Sequence, residues 1–138
     1  MQLNKEELFV QRIIDWTEND RLKWKVSKFS RFSGEIENSN NGIRLFESDS
    51  LENIAPQNNS FMHRKFIAYE IKDVVYHNDL ENFYEANSIV LMLLHDFVKE
   101  QVYDSSTISK EILSNLIETI SNKTFKTSSF MDSLMSIE

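Results

Sequence analysis

Six consecutive apolar residues, Ile89-Val90-Leu91-Met92-Leu93-Leu94, form the longest uninterrupted hydrophobic stretch of this chain. A membrane span needs about 20 such residues, and His95-Asp96 follow at once. The stretch therefore belongs inside a protein core. Around it Ala86, Ile89, Val90, Leu93, Leu94, Phe97, Val98 and Val102 recur at helical spacing. That spacing predicts a helix from Phe83 or Ala86 to Tyr103, with Asn78-Asp79 as its cap. Its apolar positions wrap most of the way round, so it is expected to lie on a sheet or between neighbours.

The flanking segments supply that sheet and further helices. Asn4-Lys5-Glu6-Glu7 offers a capping box. Leu8 or Phe9, Ile13 and Trp16 then mark an amphipathic helix over residues 5–17. Arg21-Leu22-Lys23-Trp24-Lys25-Val26 alternates strictly, which predicts a half-buried strand with Leu22, Trp24 and Val26 facing inward. Asn41-Gly42 suits a two-residue type I′ turn, so 34–40 is expected to pair with 43–48 and bring Ile36 near Ile43 or Leu45. Residues 49–60 contain the only Pro and no clear period, and read as a loop. Residues 64–76 read as one long strand, or as a hairpin bent near Lys72-Asp73. Beyond Asp104-Ser105-Ser106-Thr107, the positions Ile108, Ile112, Leu113, Leu116, Ile117 and Ile120 mark a helix of about three turns. A last short helix is expected after Ser128 or Ser129. The expected fold is α+β: an N-terminal helix, an antiparallel sheet of 3–4 strands, then two or three helices packed on one face. At 138 residues this is one domain, with 105–138 set aside as a C-terminal helical extension used for association.

Composition removes several functional classes. With 0 Cys there is no disulfide scaffold, thiolate metal site or cysteine nucleophile. With Gly 2 and Pro 1 there is no glycine loop for a nucleotide. The N-terminus lacks a basic region followed by an apolar one, so no signal peptide is expected and the chain is placed in the cytoplasm. The net charge is −7, but it is unevenly spread. Residues 1–69 hold ten basic and ten acidic side chains, and residues 70–138 hold five and twelve.

The order of a helix ending in Trp16-Thr17, a polar turn, Leu22-x-Trp24 and then Gly42-Ile43-Arg44-Leu45 resembles a group of small bacterial and phage-borne proteins. The resemblance covers residues 4–103. It implies a helix, a short strand meander and a second helix, and carries no activity with it.

Two surfaces stand out as candidate sites. Arg21, Lys23, Lys25, Lys28 and Arg31 give five positive charges without an acid, interleaved with Trp24, Phe29 and Phe32. Such a segment either tracks phosphates and stacks bases, meets an acidic partner, or simply solvates a strand whose aromatics are core. The second surface is C-terminal: Ile117, Ile120, Phe130, Met131, Leu134 and Met135 offer more apolar area than one small sheet face needs, and either pack within the chain or form a dimer or helix-in-groove interface. His63, His77 and His95 are isolated, and no metal or other cofactor is expected. Glu70, Asp73, Asp79, Glu81 and Glu85 would serve acid–base chemistry only if a cleft gathered them. No catalytic motif accompanies them. The expectation is a non-enzymatic cytoplasmic bacterial or phage protein that binds other proteins, of inhibitor or immunity type, and forms a homodimer. The alternative is nucleic-acid or nucleotide binding through 21–31.

Overall fold

The computed structural model describes residues 2–77 and 82–137, which include three helices and five strands. Helix α1 spans Lys5–Glu18 and begins with the expected capping box. Asn4 Oδ1 accepts from the Glu7 amide at 2.7 Å, and Glu7 Oε1 accepts from the Asn4 amide. The same Glu7 carboxylate accepts from the Ser109 amide at 3.0 Å, while Asn4 Nδ2 donates to the Thr107 carbonyl. These amides hold the Glu7 carboxyl below its ordinary pKa. One side chain thus joins the start of α1 to the start of α2, Lys110–Phe125, whose own cap is Ser109.

Strands β1 (Trp24–Val26), β2 (Gly42–Ser48), β3 (Arg64–His77), β4 (Asn82–His95) and β5 (Val98–Tyr103) form one antiparallel sheet in sequence order. The α+β class is as expected, with five strands in place of three or four. The extra strands come from residues 83–103, where a helix was expected and β4 and β5 stand instead. Asn78 and Asp79, the expected cap, lie outside the described residues.

The physical reason is double burial. Ile89, Leu91 and Leu93 pack with the helices, and Val90, Met92 and Leu94 pack on the opposite face. When both faces of a strand are covered, polar alternation disappears and an apolar run fits either period. The pairing shows the same division: Phe66 lies opposite Leu93 and Ala68 opposite Leu91, all on the helix face. Ile67 lies opposite Met92 and Tyr69 opposite Val90, all on the other.

On the helix face, Val10, Ile13 and Ile14 of α1 meet Leu113, Leu116, Ile117 and Ile120 of α2 over Phe46, Phe66, Ala68 and Leu91. Phe9 adds an edge contact to Phe66 and stacks on Tyr103. Arg44 pins this layer to the sheet, reaching Glu70 at 2.8 Å on β3 and Glu118 at 2.6 Å on α2. Among the described residues, no α-helix covers the other face. It is roofed by residues 27–41, in which Phe32 and Ile36 are buried against Leu45, Ile67 and Tyr69.

Three local expectations need correction. The strand expected over 21–26 is reduced to Trp24–Val26. Leu22 is buried and Trp24 half-buried, but Val26 at the strand's edge is 53% exposed. Residues 34–40 form no strand, and β2 pairs with β1 and β3 instead. Ile36 nevertheless joins the Leu45 cluster, delivered there by a turn. Nor is Asn41-Gly42 a type I′ turn: Gly42 is extended, with φ −66°. That turn chemistry is at Asp96-Phe97, between paired His95 and Val98, where both residues have positive φ. A bulky residue is rarely found there, which is why no sequence signal marks it.

Gly42 has a different duty. A Cβ at this position would lie 2.3 Å from the Phe29 ring, inside van der Waals contact. The glycine admits the ring that closes the roof over Tyr69. Gly42→Ala is expected to destabilise the fold by about 1–3 kcal/mol through overpacking. Urea unfolding checks this, and an unchanged midpoint would contradict the close approach.

Candidate functional site

The basic segment divides once folded. The Arg21 guanidinium lies 5.9 Å from the Trp16 ring centroid. Lys23, Lys25 and Lys28 are exposed. Lys23 shares a cavity of about 440 Å³ with Lys123 and Lys126, and Lys123 is 3.4 Å from Asp20. The interleaved aromatics turn inward. Trp24 Nε1 donates to Thr17 Oγ1 at 3.1 Å, Phe29 packs edge-on to Tyr69, and Phe32 is buried. None of the three is an exposed platform for a base.

Arg31 belongs to a cluster that the sequence did not mark. Glu47, on the roofed face of β2, is 1% exposed. Lys65 Nζ reaches it at 2.6 Å, Arg31 Nη1 donates to Oε1, and Ser27 Oγ donates at 3.2 Å. Burial alone pushes the Glu47 carboxyl up. Lys65, Arg31 and Ser27 more than reverse this and hold it below the ordinary value. The Lys65 ammonium also sits 4.7 Å from the Phe97 ring centroid at the β4–β5 turn. One basic residue of 21–31 therefore compensates a buried charge and anchors the roof.

The C-terminal surface also divides. Ile117 and Ile120 are 0% exposed, enclosed between α2, α1 and the sheet. They are core and present nothing to a partner, which corrects their expected place in an interface. Lys126, with φ 52°, ends α2 and starts α3, Thr127–Met135. On α3, Phe130 is 64% exposed, Met131 58%, Leu134 55% and Met135 82%. The spacing i, i+1, i+4, i+5 puts them on one stripe.

A third feature was missed. On the roofed face a cavity of about 480 Å³ opens over Tyr69, with Glu35, Glu37, Asp73 and Asp104 in its lining. Asp73 points to this side and accepts from Ser88 Oγ. Glu70, three residues earlier, pairs with Arg44 on the helix side. The two carboxylates close in sequence thus face opposite sides of the sheet. Asp79 and Glu81 lie outside the described residues, as does the side chain of Glu85. The partners of Asp73 in space, Glu37 and Asp104, are over 30 residues away in sequence, so no local pattern could have paired them.

His63 and His95 lie at the opposite end of β3 and β4 from the 78–81 connection. His63 is 3.7 Å from Asp96, and His95 is 3.3 Å from the Glu100 that Arg64 also holds. Among the described residues, no three His, Asp or Glu side chains gather as metal ligands. No described helix is long and apolar enough to cross a membrane. Compared with protein-family models, with curated proteins and with solved structures, the chain matches none.

Removing Lys65 takes one of two cations from the buried Glu47 carboxylate and leaves Arg31 as the other, so Lys65→Met is expected to cost about 2 kcal/mol. Because the Glu47 pKa is lowered by folding, its contribution is present above the unfolded value of about 4.3 and is lost as pH falls through the folded value. Denaturant unfolding between pH 7 and pH 3 should show a smaller acid-side loss for Glu47→Gln than for the unsubstituted chain. Equal losses would contradict the role given to Glu47.

Proposed function

We propose that this protein acts by binding other proteins, without catalysing a reaction, and that it self-associates as a homodimer through α3. The observation that carries the reading is the exposed stripe Phe130, Met131, Leu134, Met135. Between Thr127 and Met135 the only charged residue is Asp132, so no charge pattern selects a different partner over a second copy. A two-fold assembly needs only one self-complementary patch, and Met with Phe supplies adaptable contact area. The acidic second half supports a basic protein as a further partner, in the manner of an inhibitor or immunity protein of a bacterial or phage cytoplasm.

Light scattering of the full chain at 10–200 μM, read by order of magnitude against a dimer of ~μM affinity, is expected to give twice the chain mass. Phe130→Glu with Leu134→Glu is expected to give the single mass with an unchanged circular dichroism spectrum, because both side chains are exposed. A monomeric unsubstituted chain throughout that range would overturn the dimer.

Phosphate binding is a second reading, favoured by one observation: Lys23 shares its cavity with Lys123 and Lys126. It predicts retention on single-stranded DNA that weakens steeply with salt and is lost in Lys23→Glu. No retention at low salt would dismiss it.

A further inference from the structure

We propose that the cavity over Tyr69 is a binding site for an organic cation, an alkylammonium or guanidinium group carried on a short apolar stem. The volume of about 480 Å³ is in the range of small-ligand sites. Its lining combines two chemistries. Ile71, Val90, Met92 and Val102 contribute apolar side chains from three adjacent strands, β3, β4 and β5. Among the described lining residues, Glu35, Glu37, Asp73 and Asp104 contribute four carboxylates against the one cation Lys99, a net charge of −3.

A ring of acids is common on a protein surface and would carry nothing alone. The independent observation is Tyr69. Its side chain is 5% exposed, it lines the cavity, and its hydroxyl has no hydrogen-bond partner among the described residues. The ring is buried, but the hydroxyl is not among the buried polar atoms left without a partner, so it is the accessible end of the side chain, open to the cavity that the residue lines. Burial, followed by the charges of Asp104, Glu37 and Asp73, pushes the Tyr69 pKa up to about 12. The hydroxyl therefore stays neutral, able to accept a hydrogen bond from an ammonium or guanidinium N–H.

The spacing of the acids argues for a large cation over a bare ion. No three described carboxylates come together as metal ligands, yet all four border one cavity. Several carboxylates spread around an apolar floor suit a positive charge distributed over a guanidinium, or an ammonium whose methylenes rest on Met92 and Val102. Three of the acids keep the rim in shape: Glu35 accepts from the Lys99 amide at 3.0 Å, Asp73 from Ser88 Oγ, and Asp104 from the Ser106 amide at 3.0 Å. Glu37 is exposed and has no such structural bond among the described residues, which leaves it to a ligand. Self-association through α3 is not needed for any of this.

The same chemistry has two sources, a free polyamine or a Lys or Arg side chain on a basic protein. Titrations of the full chain followed by amide NMR separate them, using n-butylammonium, spermidine, a blocked tripeptide with a central Lys or Arg, and Mg²⁺. Saturable shifts confined to residues 35–37, 69–73, 88–92 and 102–106 are expected with the organic cations. Tighter binding of spermidine than of the peptides identifies a small-molecule site, and tighter binding of the peptides identifies a protein partner. Glu37→Gln with Asp104→Asn keeps the Asp104 turn and is expected to weaken binding at least tenfold, and Tyr69→Phe to weaken it severalfold. No localised saturable shift with any amine would overturn the proposal. So would Mg²⁺ reproducing the amine shifts, or binding undiminished in the double variant.

Discussion

The pairing of β3 with β4 is the interaction on which the rest of this structure depends. It runs from Arg64 opposite His95 to His77 opposite Asn82, and residues 66–71 of β3 and 89–94 of β4 lie at its buried centre. Each covered face of this ribbon removes apolar area from water at roughly 25 cal/mol per Å². The ribbon contributes buried side chains to both hydrophobic clusters, flanked by β2 and β5, which do the same through Phe46 and Leu45 and through Tyr103 and Val102. The helices can dock only because Phe66, Ala68 and Leu91 present one face. The roof of residues 27–41 can close only because Ile67, Tyr69 and Met92 present the other.

The two faces are covered by different means. Two helices close one side, with Arg44 bridging β2, β3 and α2. Irregular backbone covers the other, held by the Phe29 ring against Gly42 and by Arg31 on Glu47. A roof made of turns cannot span the whole sheet. Where it ends, Tyr69 is left below a cavity rimmed by acids. Meanwhile α3 carries an apolar stripe that stands exposed among the described residues, the surface proposed above to meet a second copy.

Much of the fold was legible wherever one face of an element meets water. The capping box of α1, the stripe of α2 and the long strand from Arg64 all carry a clear period or cap. Legibility failed where both faces are buried, because Ile89–Leu94 satisfies helical and extended periods alike. It failed again where tertiary contact overrides turn chemistry. Asn41-Gly42 carries the strongest turn signal, yet Gly42 is needed for an aromatic ring, while the tight turn is made by Asp96-Phe97. The candidate sites show the same pattern. Five basic residues in a row of eleven suggested one surface, but Glu47, sixteen residues beyond Arg31, claims that member for the interior. The acids of the cavity come from three separate segments, the roof, β3 and the turn after β5, and converge only in the folded chain.

The most direct test is backbone NMR of the full chain, read over residues 64–103. The account predicts extended chemical shifts for 82–95 and 98–103, cross-strand Hα–Hα contacts between 67–71 and 88–92, and the slowest amide exchange in β3 and β4. Helical shifts with contacts between residues three apart over 86–103 would contradict it, and would remove both the two-faced sheet and the cavity built on it.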